Sequence, residues 1–461
     1  MATYEELRQR HVADAAALLP GLMERLDWSA ERLAAHRQAE LRRLVRVAKD
    51  LSPWHRKRLS SIDPDAVDES NLDQLPVMTK DDLMANFDEI VTDDRLRLDV
   101  VEDHLESLTG DAYLFDRYHV CASGGSTGRR GVFVHDWDSW AAFYCGALRY
   151  EIQALRHHAG RSAADARAAI VAADHPTHAS SAMAQTFANG ELELHRFPVT
   201  LPLDEIVDGL NGCQPALLGG YPSVLFALAN EAQEGRLRIA PARITSMAEP
   251  LLPEIRAALE ETWKVPVINI YGATEFGTTS SCGLGPWLHL SDDLMIIEPV
   301  DAAGRPVGRG VCSDKIYVTN LFNYTMPFIR YEVTDQLRFL DGPCPCGSVH
   351  RRIADPLGRL DDCFHYGDLM VNAHVFRSAL GRRRHIVEYQ VRQTPTGADV
   401  AARCTEPVDF EGLSAEIAGE LAALGLTAPE VTVVPVERLE RIAASGKLKR
   451  FIPLVPLAAA V

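Results

Sequence analysis

Apolar residues recur along the chain with two different periods, and each period predicts one kind of element. Between residues 3 and 60 they return every three to four positions, as at Leu41, Leu44 and Ala48, which is the spacing of one helix face. Pro53 interrupts this pattern, because a proline inside a helix removes a backbone donor. Residues 3–60 are therefore predicted to be largely helical.

The region from about 118 to 300 alternates short apolar runs with helical patterns. The predicted strands are Ala168–Ala173, Pro215–Leu218, Ile244–Met247 and Val265–Ile270, and the predicted helices are 138–155, 222–234 and 253–263. Strands that alternate with helices are typical of an α/β fold with mainly parallel strands.

The last hundred residues form a separate unit in the pattern. Residues 341–358 are dense in Pro, Gly and Cys, which marks a boundary. The elements predicted beyond it are strands at 384–404 and 430–436 and a helix at 410–424. We therefore predict a large multi-layer α/β domain at 1–357, with a helical leading segment in 1–117, and a small mobile α+β domain at 358–461.

Composition and charge narrow the classes of protein. The formal net charge of −17 argues against broad binding to nucleic acid or to an anionic membrane, because both need a cationic face. No apolar run approaches the ~20 residues that span a bilayer, and the polar N-terminus lacks the apolar core of a secretory signal. We expect a cytoplasmic protein with small-molecule partners.

A glycine-rich loop at 121–131 is the first candidate for chemistry. Its glycines are Gly124, Gly125 and Gly128, and its hydroxyls are those of Ser123, Ser126 and Thr127. Such a loop lets backbone N–H groups converge on an anion, and Arg129 or Arg130 adds positive charge. It lacks the Gly-Lys-Ser/Thr ending of a Walker loop, and a flexible surface turn is the alternative interpretation.

Five further motifs follow the loop in order. They are Met247-Ala-Glu-Pro250, Tyr271-Gly-Ala-Thr-Glu275, Ile329-Arg-Tyr-Glu-Val-Thr-Asp335, Gly358-Arg-Leu-Asp-Asp362 and Ser445-Gly-Lys-Leu-Lys-Arg450. With the loop, they resemble the motifs of the adenylate-forming superfamily, which includes acyl-CoA synthetases, peptide-synthetase adenylation domains and luciferases. Marks that resemble the phenylacetate–CoA ligase branch are Leu75-Pro-Val-Met-Thr-Lys80, Gly220-Tyr-Pro-Ser223 and Cys344-Pro-Cys-Gly347.

The resemblance implies a role for each motif in binding ATP. It implies that Ser123, Gly124, Gly125, Ser126, Thr127 and Gly128 hold the β- and γ-phosphates, and that Tyr271 and Gly272 lie at the adenine opposite Ala248, Glu249 and Pro250. Thr274 is expected to donate to the α-phosphate, Glu275 to bind Mg²⁺, and Asp335 to accept the ribose hydroxyls.

The C-terminal motifs carry the remaining expected roles. The resemblance implies that Lys447 bridges the attacking carboxylate and the α-phosphate, that Arg359 contacts the nucleotide, and that Asp361 is the hinge of the moving small domain. A solvated lysine in a basic tail is the alternative for Lys447. The implied cycle forms an acyl-AMP and then transfers the acyl group to coenzyme A.

Two departures from the family pattern leave the acyl substrate open. Arg129 and Arg130 stand where the phosphate loop often carries Pro-Lys, and Phe276 follows the acidic motif.

Nine scattered cysteines do not indicate a disulfide framework, but four residues have the chemistry of a zinc site. Cys282, His289, Cys344 and Cys346 would form a closed Cys₃His site, with His350 as a weaker alternative ligand. The alternative is a pair of free cysteines and an unrelated histidine.

The sequence therefore supports three functional hypotheses. The first is a ligase that joins a small acid, aromatic by family analogy, to coenzyme A at the expense of ATP. The second keeps the adenylation and changes the acceptor to an amine or a carrier-protein thiol, or activates nitrite in diazo formation. The third is a non-catalytic zinc-ribbon binding module. A homodimer is compatible with the resemblance.

Overall fold

The structure is a computed structural model that describes residues 2–123, 131–157, 167–173, 176–187, 193–356, 358, 362–367, 369–371, 373–381, 383, 385–442 and 448–454. Its helices are α1 (Tyr4–Glu24), α2 (Ala30–Leu51), α3 (Pro53–Arg58), α4 (Lys80–Ala85), α5 (Phe87–Ile90), α6 (Leu98–Ser107), α7 (Trp137–His157), α8 (Ala179–Thr186), α9 (Leu203–Cys213), α10 (Pro222–Gln233), α11 (Pro253–Trp263), α12 (His374–Gly381) and α13 (Phe410–Ala423).

The strands complete the order of elements. They are β1 (His119–Ala122), β2 (Val132–His135), β3 (Ala168–Ala172), β4 (Leu194–Pro198), β5 (Leu217–Gly220), β6 (Arg243–Met247), β7 (Val267–Ala273), β8 (Gly277–Ser280), β9 (Trp287–His289), β10 (Met295–Val300), β11 (Lys315–Asn320), β12 (Tyr331–Val333), β13 (Phe339–Leu340), β14 (Arg352–Ala354), β15 (Phe364–Tyr366), β16 (Leu369–Val371), β17 (Ile386–Gln393), β18 (Gly397–Cys404), β19 (Glu430–Pro435) and β20 (Phe451–Ile452).

A nine-stranded sheet forms the centre of the large domain. Its order is β13-β14-β9-β8-β7-β6-β5-β3-β4. The strands β4, β3, β5, β6 and β7 are parallel, and α8 to α11 connect them in turn. The strands β8, β9, β14 and β13 extend the sheet in antiparallel pairing. The carboxyl ends of the parallel strands therefore share one edge, which is where open α/β sheets bind ligands.

Residues 4–58 are largely helical, as their periodicity predicts, and α1 and α2 begin at capping residues. Thr3 forms a capping box with Glu6, and Ser29 accepts a hydrogen bond from the Arg32 amide. Pro53 ends one helix and begins the next, since it occupies the first turn of α3 where no amide donor is needed.

The segment before α4 is held against the large domain by backbone hydrogen bonds. The Met78 amide donates to the Arg330 carbonyl at 3.1 Å, and the Glu332 amide donates to the Met78 carbonyl at 2.8 Å. Thr79 caps α4 in a capping box with Asp82. These bonds fix Lys80, the first residue of α4, beside strand β12.

The small C-terminal unit has its own core. Its four-stranded sheet has the order β19-β18-β17-β20, and α12 and α13 belong to the same unit. A separate cluster of buried apolar residues, among them Phe364, Val391 and Leu413, lies entirely within this unit. The α/β fold with a large and a small domain is confirmed, whereas the boundary at 357/358 stays a prediction.

Strands β5 and β7 differ from their predicted bounds by two or three residues at each end. The strand expected at Pro215–Leu218 is β5, which begins at Leu217, because Gln214 adopts a left-handed conformation and caps α9. The strand expected at Val265–Ile270 is β7, which continues to Ala273 because it pairs with β8 in a hairpin. None of the helices in the described part of the chain has the length and apolar character to cross a membrane.

Candidate functional site

The base of the glycine-rich loop is closed by Ser123. Its hydroxyl accepts a hydrogen bond from the Gly131 amide at 2.9 Å, and its own amide donates to the Gly131 carbonyl at 2.9 Å. The Lys80 ammonium also donates to the Ser123 hydroxyl, at 3.0 Å. The predicted phosphate-binding residues Gly124, Gly125, Ser126, Thr127 and Gly128 lie outside the described residues.

Lys80 is a residue of this site that the motif comparison did not assign. It brings a positive charge to the loop, whose Arg129 and Arg130 stand where the family often has a lysine. A side chain at Gly131 would force Lys80 or Phe133 to shift, because an added Cβ would lie 2.9 Å from the Lys80 Cε and 2.8 Å from the Phe133 ring. The sequence signal for Lys80 is its place at the end of Leu75–Lys80, a segment that resembles a mark of the phenylacetate–CoA ligase branch.

The motif Tyr271–Glu275 forms the hairpin between β7 and β8. Gly272 is opposite Thr278, and an added Cβ at Gly272 would lie 2.5 Å from the Gly277 carbonyl oxygen, so only glycine fits this close pairing. Thr274 and Glu275 occupy the tip. The Asn320 side-chain amide donates to the Glu275 carbonyl at 3.1 Å and orients the tip.

Phe276, the departure after the acidic motif, belongs to the core. Its side chain is fully buried and packs in the cluster that contains Met295, Met326 and Phe328. The aromatic side chain anchors the hairpin from below, which is a packing role.

Two motifs that are far apart in sequence meet at Tyr271 and Asp335. The Tyr271 hydroxyl donates to Asp335 Oδ2 at 2.7 Å, across 64 residues of chain. Asp335 is buried, and an ionised carboxylate can accept several hydrogen bonds. The predicted adenine and ribose residues therefore lie side by side.

The segment Met247–Pro250 turns sharply at the carboxyl end of β6. Ala248 has a φ of 65°, and the Glu249 amide donates to the Met247 carbonyl at 2.9 Å. This is the rare γ-turn whose central residue has positive φ, and it is strained for any residue with a Cβ. Strain of this kind persists where the surrounding structure demands the conformation.

The Glu249 carboxylate joins the two domains. Its Oε2 accepts from the Ser223 amide at 3.2 Å in the first turn of α10, where the helix dipole favours an anion. Its Oε1 accepts from the Leu448 amide at 3.1 Å. Leu448 directly follows Lys447 in sequence, so the C-terminal motif contacts the segment Met247–Pro250 through Glu249. Contact of Ala248, Glu249 and Pro250 with adenine stays a prediction.

Three predicted residues of the C-terminal motifs, Arg359, Asp361 and Lys447, lie outside the described residues. Beside the first two, the Gly358 carbonyl accepts from the Gln336 amide at 2.9 Å. Gly358, the first residue of the hinge motif, is therefore hydrogen-bonded to the residue that follows Asp335 in sequence.

The four predicted metal ligands converge. Their ligand atoms lie within 4.8 Å of one another. The Cys282 and Cys344 sulfurs are 3.7 Å apart, and the Cys346 sulfur is 3.5 Å from His289 Nε2. A tetrahedral zinc ion with usual bond lengths needs about 3.8 Å between sulfurs and about 3.5 Å between sulfur and nitrogen. The donor set and its spacing both fit zinc.

The surroundings favour metal ligation by His289 over His350. His289 Nδ1 faces the His350 carbonyl at 3.3 Å, and donation there leaves Nε2 for the metal. The ring of His350 is engaged elsewhere, since Nε2 lies 3.2 Å from the Arg25 carbonyl and Nδ1 lies 3.2 Å from the Asp292 amide. The alternative ligand His350 is therefore wrong. A hydrogen bond with Cys346 lowers the pKa of the Cys282 thiol.

A cleft between the large and the small domain is separate from this site. Its volume is about 760 Å³, and it lies between α10, α11 and residues of the small domain such as Tyr389 and Arg450. None of the described residues assigned to ATP lines it.

Known proteins are similar to this chain mainly in structure. No protein-family model matches it. A phenylacetate-coenzyme A ligase from Thermus thermophilus is 29% identical over 159 residues, which cover 32% of this chain and 35% of that protein. The chain thus matches about a third of the length of this curated relative.

Solved structures match nearly the whole chain. A 2-hydroxyisobutyryl-CoA ligase in its post-adenylation state has a TM-score of 0.73 at 17% identity, covering 94% of this chain and 92% of that one. The same ligase in the thioesterification state gives 0.59 at 18% identity, over 93% and 91% of the two chains. The amide bond synthetase McbA from Marinactinospora thermotolerans gives 0.50 at 15% identity, over 70% and 66%.

These similarities decide between the two classes of protein that the sequence suggested, an enzyme with the fold of CoA ligases and a zinc-ribbon binding module. A stand-alone zinc ribbon is wrong, because the Cys/His cluster occupies one end of a nine-stranded sheet within a fold shared over 94% of the chain. The chain shares its fold with this CoA ligase over 94% of its length, and its six motifs, in order, resemble those of the adenylate-forming superfamily.

Proposed function

We propose that the protein adenylates a small carboxylic acid with ATP and transfers the acyl group to coenzyme A, releasing pyrophosphate and AMP. The observation that carries the proposal is the hydrogen bond between Tyr271 and Asp335, which brings the adenine and ribose motifs together. The phosphate loop and the Thr274–Glu275 tip complete the set of groups that ATP requires.

Each group answers one requirement of the reaction. The carboxylate must attack the α-phosphorus while pyrophosphate leaves, so two anions must be brought together and their repulsion offset. Lys80 and the loop amides supply positive potential at the β- and γ-phosphates, and Thr274 donates to the α-phosphate. Glu275 holds Mg²⁺, a hard ion that prefers carboxylate and phosphate oxygens. Asp335 accepts from the ribose hydroxyls.

The small domain is proposed to serve both steps. Lys447 acts in adenylation, and the bond from the Leu448 amide to Glu249 supports its place near the nucleotide. The hinge at Asp361, between domains 1–357 and 358–461, then presents a second face to admit coenzyme A. The TM-score is 0.73 with the post-adenylation state of the 2-hydroxyisobutyryl-CoA ligase and 0.59 with its thioesterification state. This difference supports the arrangement in which Lys447 acts in adenylation.

A structural zinc ion is proposed at Cys282, His289, Cys344 and Cys346. It would join the loop between β8 and β9 to the turn between β13 and β14. All four ligands are protein side chains, so no open position remains for substrate, which is typical of a structural site.

Pyrophosphate release with Mg²⁺·ATP tests the function. The panel contains aromatic acids, which the resemblance favours, short aliphatic acids and nitrite, each with and without coenzyme A. Release with one class of acid that increases with coenzyme A supports the proposal. Release that coenzyme A does not change retains the adenylation and assigns another acceptor, such as an amine or a carrier-protein thiol. No release from any well contradicts adenylation.

A further inference from the structure

The Glu249 carboxylate accepts hydrogen bonds from two backbone amides, one in each domain. The Ser223 amide lies in the first turn of α10, where amides have no acceptor within the helix. The Leu448 amide belongs to the C-terminal motif, which precedes β20. Both residues are buried, with 0% and 6% of their surface exposed, so each amide requires an acceptor inside the protein. The two oxygens of Glu249 supply one acceptor each.

A strained turn places this carboxylate between the two amides. Ala248, at the carboxyl end of β6, has a φ of 65°, which residues with a Cβ rarely adopt. Backbone strain of this kind persists at functional sites when the surrounding contacts demand the conformation. The hydrogen bonds from Ser223 and Leu448 to the next residue, Glu249, are such contacts.

A further contact joins the small domain to the same turn of α10. Arg441 Nη1 lies 3.5 Å from the Ser223 hydroxyl oxygen, and Nη2 pairs with Glu388 on β17. Gln390, also on β17, donates to the Lys449 carbonyl at 2.9 Å. The C-terminal motif is therefore attached to the sheet of the small domain, and the small domain meets α10 at Ser223.

From this geometry we propose that Glu249 is a positioning residue, which holds the C-terminal motif in the arrangement for adenylation. It acts through the Leu448 amide, next to Lys447 in sequence, rather than on the reacting atoms. The inference rests on the proposed function for the role of Lys447. In that cycle the small domain turns before coenzyme A reacts, so the bond between Glu249 and Leu448 breaks between the two steps.

This role predicts opposite effects on the two half-reactions. Loss of the carboxylate should slow the adenylation, because the C-terminal motif is no longer held in place. It should not slow thioester formation, because that step requires the bond to be broken. A residue that only stabilises the fold would affect both steps, and a side chain that binds the nucleotide would change the KM for ATP.

Hydrogen exchange of the full chain without substrates tests the contact itself. A hydrogen bond to a charged group corresponds to a factor of roughly 10 to 100 in an equilibrium constant, so Glu249→Ala should speed exchange of the Leu448 amide about tenfold or more. The Val391 amide donates to the Arg450 carbonyl at 2.7 Å within the small domain and should exchange as before. Unchanged exchange at Leu448, or faster exchange at both amides, overturns the inference.

The half-reactions then test the positioning. Both use the acid that releases pyrophosphate fastest in the panel of acids: pyrophosphate release at varied ATP, and thioester formation from the isolated acyl-AMP and coenzyme A. Glu249→Ala should lower kcat of the first about tenfold or more, at an unchanged KM for ATP, and should not slow the second. Glu249→Gln should lie between, because its carbonyl oxygen retains one acceptor. Glu205→Ala, at an exposed carboxylate on α9, is the control.

The outcomes separate this inference from the proposed function. Equal slowing of both half-reactions, or a raised KM for ATP alone, overturns the positioning role of Glu249. If Glu249→Ala does not fold, Glu249→Gln decides both measurements. If exchange at Leu448 depends on Glu249 but no acid releases pyrophosphate, the contact is retained and adenylation is contradicted.

Discussion

At the scale of single residues, the candidate site includes a side chain to which the motif comparison gave no role. Lys80 precedes Ser123 by 43 residues, yet their side chains are in contact. Because the loop itself contains Arg129 and Arg130, a motif comparison predicts that these arginines supply the positive charge that offsets the phosphates. The contact exists because backbone hydrogen bonds attach the Met78 segment to β12.

Replacing Lys80 with Met should reduce adenylation. A hydrogen bond from a charged group contributes about 1.5–3 kcal/mol, so we expect kcat/KM for ATP to fall roughly 10- to 100-fold. Pyrophosphate release at varied ATP measures this. Lys57→Met removes an exposed lysine that pairs with Glu89 at 2.9 Å and should leave kcat/KM unchanged. Equal rates for the two variants would contradict the role of Lys80.

Replacing Ala248 with Gly should stabilise the protein. A non-glycine residue with positive φ costs about 1–2 kcal/mol, and the added flexibility of glycine offsets about 0.5–1 kcal/mol of that gain. We expect a net gain of up to about 1 kcal/mol in the free energy of unfolding, measured by chemical denaturation. The matched change Ala35→Gly, exposed in the middle of α2, should cost about 1 kcal/mol. A loss at both positions would show that the turn is unstrained.

At the scale of elements, two hairpins are held by side chains that local pattern does not relate. The tip of β7–β8 is anchored by Phe276 in the core below it. The loop between β8 and β9 meets the turn between β13 and β14 at the Cys/His cluster, and the Trp287 indole donates to the Cys344 sulfur at 3.3 Å. Strand β14 pairs with β9, which brings Cys344 and Cys346 to His289.

Loss of one zinc ligand should destabilise this end of the sheet. We expect Cys346→Ser to lower bound zinc from one equivalent to below about 0.1, because three ligands cannot close a structural site. The melting temperature should fall by several degrees, since 1 kcal/mol corresponds to about 2–4 °C in domains of about 150–250 residues. Elemental analysis and calorimetry measure both. Cys312→Ser, at a cysteine outside the cluster, should retain the zinc. Full zinc content in Cys346→Ser would contradict the site.

At the scale of the whole molecule, buried histidines make stability depend on pH. Burial lowers the pKa values of His11, His55 and His135 to about 4. The ordinary value is about 6.5, so the fold favours the neutral ring. The stabilisation is complete above pH ~6.5 and is lost as the pH falls toward 4.

The free energy of unfolding should therefore fall between pH 7 and pH 5, with a slope that His55→Gln reduces by about one proton. One proton corresponds to about 1.4 kcal/mol per pH unit. His55 Nε2 lies 3.0 Å from the Pro327 carbonyl, and the amide of Gln can donate in its place without titrating. Urea denaturation at several pH values measures the slope. An unchanged slope in the variant would contradict the pKa assignment.

The sequence by itself determined the class of fold, most of the elements and the motifs of the ATP site. Helix periodicity, caps and short apolar runs act over a few residues, so α10, α11 and β6 lie within a residue or two of their predicted bounds. The Cys/His set followed from ligand chemistry alone. Tertiary structure decided what depends on contacts between distant segments: Lys80 at the phosphate loop, Glu249 between the domains, and the exclusion of His350 from the cluster. These contacts join residues that are 43 to 325 positions apart in the chain, so no local pattern encodes them; they depend on how strands and helices pack.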